Sequence, residues 1–419
     1  MQSRFFRLVC ADFEVQLVED LLQQEGYRFC PVQGIPWARE LLYQPRALGS
    51  SLAAEFGLIY IQDKSSLLPP WYLAPSSGSR VLDLCASPGG KSGFLAQLLG
   101  PQGLVLANEP GGRRFELLRR NMSRLNLPQV VCSAWEAQEL PLPGEDWPCI
   151  LLDVPCSGWG TADKHPRVLK LWKGNRLKPL LKLQQGLLIA AGRFLAPGGS
   201  LLYSTCTTNV QENEEQVLWA AENLGLQIEG LSALSGFVPD RLQEPQARGC
   251  LRINGSRSGA QSFFLARLAK PGPALGQQGS SGYADARASG AGCALDPGLE
   301  EFPGSLSRLP QGRLSLEGER IFFQPELASQ LPGQGLYLGR KLKAGIRLWS
   351  RSRLLLPLPW DREQGEVWQV DEVQSLHQLL SGQSLPCSSK QKQLPLYWQE
   401  LPLGWLTVKG GRVLWTEKG

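Results

Sequence analysis

The stretch Arg80-Val-Leu-Asp83-Leu-Cys-Ala-Ser-Pro-Gly-Gly90-Lys-Ser92 sets the fold class. Val81–Leu84 is a short apolar run, the form taken by a strand buried on both faces. A helical pattern over Lys91–Leu99 follows directly. The glycines between them let the backbone approach a ligand, and the start of the helix offers free N–H groups. The spacing is neither that of a P-loop nor that of the dinucleotide fingerprint. A strand, a glycine-rich loop and a helix in succession therefore predict a nucleotide-like cofactor at the carboxyl edge of an α/β sheet.

Working outward, the same rhythm repeats. Apolar runs at Gly103–Ala107, Gln129–Cys132, Ile150–Asp153 and Ser200–Ser204 read as buried strands. Helical patterns at Arg113–Leu125, Pro179–Leu195 and Gln211–Asn223 alternate with them, and Gln261–Leu268 reads as a late strand. The expectation is a doubly wound α/β domain over residues 76–270 with a parallel core. Pro197-Gly-Gly199 reads as a turn before its strand, and Asn209 with Glu212 as an N-cap and capping-box pair.

Residues 1–75 mix strand-like pieces (Phe5–Val9, Leu58–Gln62) with a helical pattern from Phe13 to Gln24, which predicts a small α+β subdomain. Gly, Ser, Ala and Pro dominate residues 271–304, so that stretch reads as a flexible linker. Beyond it, Ile346–Trp349, Glu366–Val370, Gly404–Val408 and Arg412–Trp415 suggest a β-rich domain over 305–419. The chain has 419 residues, 42% of them hydrophobic, which supports real cores and excludes a disordered protein. The net charge of +5 is too mild to identify a partner by itself. Ten cysteines without C-x-x-C spacing and only two histidines, His165 and His377, speak against a Cys/His zinc site and against His-based triads. No apolar stretch reaches the length of a membrane span, and free thiols fit a reducing cytoplasm.

Two cysteines stand apart. Ile150-Leu-Leu-Asp153-Val-Pro-Cys156-Ser-Gly and Leu201-Leu-Tyr-Ser-Thr-Cys206-Thr-Thr-Asn209 each carry a strand into a polar loop that ends in a thiol. Cys85, Cys132 and Cys149 read as ordinary buried thiols. A thiolate is a soft nucleophile, and C6 of a pyrimidine is an electrophile that needs one. Attack at C6 makes C5 nucleophilic enough to take a methyl group. Asp153, at the end of the Cys156 strand, can give a proton or hydrogen bond to the pyrimidine N3. Glu109, ending the second strand, is placed to accept ribose hydroxyls, and Glu136, after the third, to reach an adenine amino group.

These motifs, in this order, closely resemble the Sun (Fmu) family of S-adenosylmethionine-dependent RNA (cytosine-5) methyltransferases. The resemblance rests on Asp83–Ser92, on Asp153-Val-Pro-Cys156-Ser-Gly, and on Tyr203-Ser-Thr-Cys206-Thr with Glu212-Asn-Glu214. Tyr60-Ile-Gln-Asp-Lys-Ser-Ser66 adds a fourth motif, and the likeness covers residues 1–270. Gly335-Leu-Tyr-Leu-Gly339 and Leu403-Gly-Trp-Leu406 resemble the PUA-like tail of the RsmF-like branch, which acts on small-subunit ribosomal RNA. The resemblance implies a Rossmann-like class I methyltransferase domain between an N-terminal RNA-recognition subdomain and a PUA-like RNA-binding domain. It implies that Cys206 attacks C6, that Cys156 assists release of the methylated RNA, and that Asp153 contacts the base. It implies that S-adenosylmethionine is held by Cys85, Ala86, Ser87, Pro88, Gly89, Gly90, Lys91, Glu109, Arg114, Glu136 and Asp153, with Gln62 and Asp63 shaping the entrance. The chain departs from the family pattern at Glu136, where Asp is commoner, at Val154 for Ala, and at Arg167 for an acid. It also begins late, without the helical segment that many relatives carry first.

RNA contacts are expected where basic residues gather. Lys164, Arg167, Lys170, Lys173, Arg176, Lys178 and Lys182 occur without an acid among them and with Trp172 between, directly after the Cys156 loop. A second basic run, Arg340-Lys341-Leu-Lys343 to Arg353, includes Trp349. Phosphate contacts dominate nucleic-acid affinity, and an aromatic among cations can stack a base. The alternatives at this point are a tRNA methyltransferase of the same chemistry, a non-catalytic ribosome assembly factor, and an exocyclic-amine methyltransferase. The expected enzyme is a cytoplasmic monomer whose partner is small-subunit ribosomal RNA or the assembling subunit.

Overall fold

Apolar spacing builds the first unit. The computed structural model describes residues 4–162, 168–171, 176–273, 275, 293–343, 345–357 and 366–416. Strands β1 (Arg4–Leu8), β2 (Arg28–Pro31), β3 (Ala38–Tyr43) and β4 (Ile59–Gln62) form an antiparallel sheet in the order β2-β3-β1-β4. Helix α1 (Val15–Gln24) places Val18, Leu21 and Leu22 on one stripe, against Phe6 and Leu8 of β1. Helices α2 (Leu52–Glu55) and α3 (Leu68–Leu73) lead onward.

The central sheet holds β5 (Arg80–Asp83), β6 (Leu104–Asn108), β7 (Val130–Ser133), β8 (Trp147–Asp153) and β9 (Leu195–Thr205), all mutually parallel. Helices α4 (Gly90–Leu99), α5 (Arg113–Leu125), α6 (Val168–Leu171), α7 (Leu177–Phe194) and α8 (Glu214–Leu224) accompany them. β10 (Gln227–Glu229), β11 (Pro239–Asp240), β12 (Leu251–Ile253), helix α9 (Gly255–Ser258) and β13 (Phe263–Ala269) follow, with β13 antiparallel to β9. The order is β11-β12-β13-β9-β8-β5-β6-β7, with β10 on β13. Leu82, Ile150, Leu201 and Tyr203 are buried in its core, as runs covered on both faces should be.

Two local readings change. Pro197-Gly-Gly199 lies inside β9 and not before it. A Cβ on Gly199 would meet the Pro148 carbonyl at 2.9 Å, and the β8–β9 register shifts between Trp147 and Cys149. The glycines therefore mark a bulge and a close backbone approach. Asn209 caps a 3₁₀ turn (Val210–Glu212), while α8 starts only at Glu214. Glu212 does not reach back to the Asn209 backbone; its carboxylate accepts from the Asn209 side chain at 3.1 Å.

The C-terminal region has two five-stranded sheets. The first runs β14 (Cys293–Leu295), β15 (Gly312–Glu317), β16 (Arg320–Pro325), β17 (Leu336–Leu342), β18 (Gly345–Leu348) in that order. The second joins β19 (Trp368–Val370), β20 (Leu385–Pro386), β21 (Gln393–Trp398), β22 (Leu401–Lys409) and β23 (Arg412–Leu414) as β19-β21-β22-β23-β20, with helix α10 (Val373–Leu380). The stretch read as linker over 271–304 contains a paired strand and a buried residue, so that reading does not hold from residue 293 onward. β14 already pairs with β15, and Leu299 is fully buried, because apolar residues recur among the glycines and prolines there. Among the described residues, no helix is long and apolar enough to cross a membrane.

The C-terminal region is docked on the first unit. Phe6, Leu21 and Phe56 share one buried cluster with Trp398, Leu403 and Trp415, and the Phe56 and Trp415 rings meet edge to face at 5.3 Å. The buried Glu14 carboxylate accepts from Arg308 at 2.8 Å and from Arg353 at 3.2 Å. Arg353 also donates to the Val9 carbonyl at 3.0 Å. β7, at one edge of the central sheet, is covered by mutual backbone hydrogen bonds between Cys132 and Gln334.

Burial pushes the Glu14 carboxyl upward, but attraction from Arg308 and Arg353 outweighs it and holds the group below its ordinary value. Its stabilising contribution is therefore complete above the ordinary glutamate range and is lost as pH falls through the lowered folded-state value. Glu14→Ala strands two buried guanidinium groups, and urea unfolding should show a loss of about 3–5 kcal/mol. A loss below about 1 kcal/mol, the range of exposed pairs, would show that the ion cluster does not hold the two regions together.

Candidate active site

The strand order fixes where ligands bind. From β5 the chain moves outward to β6 and β7, then returns to place β8 on the other side of β5. Such a reversal opens a crevice at the carboxyl ends of the two central strands. Asp83 ends β5, Asp153 ends β8, and Cys206 follows β9 directly.

One half of the crevice is a cradle. Gly89 has φ +105°, a left-handed value, and α4 begins at the next residue. A Cβ on Gly90 would lie 2.7 Å from the Tyr60 ring and 3.0 Å from Gln62 Oε1, so the N-terminal sheet packs directly on the loop. Asp83 beneath it accepts from Ser92 Oγ at 2.7 Å and from the Cys85 N–H at 3.3 Å. Burial pushes the Asp83 carboxyl up to about 7. Glu109, buried at the end of β6, accepts from the Ser87 N–H at 3.1 Å and from the Arg114 guanidinium. Arg114 also donates to the Ser87 carbonyl at 3.3 Å, tying α5 to the loop.

The other half carries the thiols. Cys156 Sγ and Cys206 Sγ are 3.2 Å apart. The hydrogen bond from Cys156 lowers the Cys206 thiol below its ordinary value against the opposing effect of burial, and Lys91 adds attraction. The same hydrogen bond and burial push the Cys156 thiol well above its own. The pair is thus polarised, with Cys206 the more acidic thiol and Cys156 the one that better keeps its proton. Asp153 sits beside them, accepting from Lys91 Nζ at 2.7 Å and from Ser204 Oγ at 2.7 Å. Lys91 lies 5.5 Å from the Phe263 ring centroid, and its ammonium is raised because Asp153 outweighs burial.

A fully buried carboxylate braces both cysteine loops. Glu212 accepts from the Ser157 N–H at 2.8 Å, from the Ser157 hydroxyl, from Gln184 of α7 at 3.0 Å and from Asn209 at 3.1 Å. Its own backbone carbonyl accepts from Tyr203 OH at 2.6 Å. Thr207, beside Cys206, closes the set with a 2.8 Å contact to Ser157, beside Cys156.

The structure brings Cys206, Cys156, Asp153 and Lys91 together, with Cys85, Ala86, Ser87, Pro88, Gly89 and Gly90 forming the adjoining loop. Lys91, expected at the cofactor, pairs with Asp153. Cys85 is buried and its thiol is raised well above the ordinary value by burial. Glu136 is exposed at the start of a 3₁₀ turn. Asp63 is used structurally, accepting from Gln261 N at 3.1 Å. Lys164, Arg167, Trp172 and Lys173 lie outside the described residues; Lys170 belongs to α6, with its side chain outside them. Arg340 and Lys341 are on β17, remote in sequence from the thiol loops. Sequence reasoning missed the roles of Ser204, Gln184 and Glu212. The one signal was the run Glu212-Asn-Glu214, three polar residues where a helix should begin burying apolar ones.

Comparison with known proteins shows what the chain is similar to. A family model described as 16S rRNA methyltransferase RsmB/F matches residues 70–269. Ribosomal RNA small subunit methyltransferase F of Aeromonas salmonicida is 31% identical over 367 residues, covering 82% of this chain and 74% of the relative. The protein of the same name from Salmonella heidelberg is 36% identical over 260 residues, 60% of this chain, and the match spans about half of that relative (53%). A methyltransferase homolog from Pyrococcus horikoshii superposes with a TM-score of 0.56 at 30% identity, over 64% of this chain and 87% of its own.

The polarised thiol pair is open to direct measurement. The rate of Cys206 alkylation by iodoacetamide, followed site by site by mass spectrometry, should rise with pH through an inflection below that of an ordinary thiol. Cys156→Ala removes the donor and should move that inflection upward. An inflection that stays in place would deny Cys156 its role in holding the Cys206 thiolate.

Proposed function

This chain belongs to the RsmB/F family of 16S rRNA methyltransferases, and we propose on that premise that it methylates C5 of a cytosine in 16S ribosomal RNA through a covalent Cys206–C6 adduct. The observation that carries the mechanism is the 3.2 Å contact between Cys156 and Cys206 beside Asp153.

The cofactor is S-adenosylmethionine, which supplies an electrophilic methyl group when bound. The residues present fit it. The Gly89–Gly90 cradle admits backbone contact, Glu109 offers a pinned carboxylate for ribose hydroxyls, and Glu136 is free to reach toward the adenine. Gln62 places an amide with both polar atoms buried and unpartnered against Gly90, a group that a polar ligand would satisfy.

Cys206 thiolate attacks C6 of the cytosine, and the displaced electron pair moves toward C5. Asp153, held by Lys91 and Ser204, faces the base and manages the proton at N3. After C5 has taken the methyl group, a base removes the C5 proton and the Cys206–C6 bond breaks by elimination. Cys156 then donates its hydrogen bond to the departing sulfur. That bond stabilises the leaving thiolate, which is a physical reason for Cys156 to govern release. The first 75 residues serve as RNA-recognition subdomain and residues 305–419 as a PUA-like RNA-binding domain. The same reading places the enzyme in the cytoplasm, where its free thiols stay reduced.

Cys206→Ala should abolish transfer of labelled methyl groups to RNA while RNA binding persists; full methylation by that variant would sink the assignment. Cys156→Ala should accumulate an RNA–protein adduct that survives denaturing electrophoresis. Rapid turnover by Cys156→Ala without adduct would remove Cys156 from the release step.

A further inference from the structure

One face of the first C-terminal sheet carries a row of like charges. Arg320 on β16 stands opposite Arg340 on β17, and Arg340 stands opposite Arg347 on β18. Like charges directly opposite on a sheet destabilise it. Among the described residues, none of the three has an ion-pair partner. Glu317, across the hairpin from Arg320, instead accepts from Gln334 at 2.8 Å.

This row lines a cleft of about 400 Å³ closed on its other side by Arg119 of α5. Among the described residues no acid lines the cleft, although Arg119 itself pairs with Glu116 along α5 at 2.9 Å. Its floor includes Tyr337 and Trp349, whose rings lie 5.5 Å apart, half-buried and inclined to each other at 58°. Lys341, beside Arg340 in sequence, points to the opposite face. A Cβ on Gly298 would collide with its Nζ, as the two-residue alternation of a strand requires.

We propose that this cleft is an RNA subsite, built jointly by the catalytic domain and the C-terminal region, that grips the phosphate backbone of the substrate RNA away from the reacting cytosine. Three guanidinium groups in a row match successive phosphates, each able to bond one in a fork geometry. The two aromatic rings offer a platform for an unstacked base beside them. A bound polyanion also removes the repulsion that the row carries in the free protein. The proposal takes from the functional reading above only that RNA is the substrate.

The test is the triple variant Arg320→Gln, Arg340→Gln, Arg347→Gln, with Arg241→Gln, an exposed cation outside the C-terminal region, as control. RNA binding is measured by filter retention of protein-free 16S transcript, and methyl transfer by incorporated label. The triple variant should melt at or above the wild-type temperature, because the substitutions relieve repulsion. Its affinity for the transcript should fall at least about tenfold, with a salt slope shallower by about two for three lost phosphate contacts. KM should rise in step, with kcat at saturating RNA unchanged, and Arg241→Gln should match wild type. Unaltered affinity and slope in a folded triple variant overturns the proposal. Weakening on intact small subunits without weakening on protein-free RNA also overturns it, in favour of a ribosomal protein as the occupant. Because binding is read apart from turnover, a wild-type protein that binds RNA yet transfers no methyl group would refute the functional reading alone.

Discussion

Glu212 has no exposure to water, and four donors converge on its carboxylate. A carboxylate in that position is tolerable only when every lone pair is met. The donors come from the Cys156 loop, from α7 and from the loop after Cys206, and Tyr203 of β9 holds the residue's own carbonyl. Satisfying one buried group thus fixes three segments at once. The 3.2 Å approach of the two sulfurs follows from that requirement, since neither loop has regular structure to hold it. Glu214, two residues on, repeats the device with Arg252 at 2.6 Å and anchors α8 to the neighbouring strand β12.

With the loops fixed, the electrostatics of the site follow. Two thiols in contact cannot both hold a proton equally, because a donor to one sulfur stabilises the thiolate on that sulfur. The side that wins is set by surroundings. Cys206 has Lys91 within reach of its charge, whereas Cys156 has the Cys206 charge itself and Glu212. Asp153 opposes the Cys206 thiolate, but Lys91 is paired with it at 2.7 Å, which softens that repulsion. Lys91 therefore belongs to both halves of the crevice: the helix that follows the Gly89–Gly90 loop also delivers the cation beside the two thiols.

The α/β core was legible because parallel strands covered on both faces leave unbroken apolar runs, and each run found in the sequence falls on a strand of the central sheet. The cysteines were legible because a thiol beyond a strand end is chemically conspicuous. What was not legible was pairing across distance. Glu14 and Arg353, or Ser157 and Glu212, become partners only through topology, and no local period records that. The Pro197-Gly-Gly199 reading failed because a turn and a bulge have the same composition; only the opposing Pro148 carbonyl distinguishes them. In the tail, reading basic residues as a run put Arg340 and Lys341 together, although strand alternation sends them to opposite faces.

Helix α5 connects these observations. Near its start, Arg114 bonds Glu109 and the Ser87 carbonyl at the glycine-rich loop; five residues later, Arg119 closes the arginine cleft. Five residues of α-helix advance about 7 Å, so the two places lie close along one rigid element. The cleft's position therefore depends on how the C-terminal region is docked. That docking is overdetermined: an apolar core shared with the first unit, the Glu14–Arg308–Arg353 cluster, and the Cys132–Gln334 backbone pair all constrain it. A flexibly tethered domain would leave the arginine row at a variable distance from Cys206. A docked one holds it at a fixed distance, and on the reading proposed above that spacing between a backbone grip and Cys206 would select which nucleotide of a bound RNA reaches the thiol.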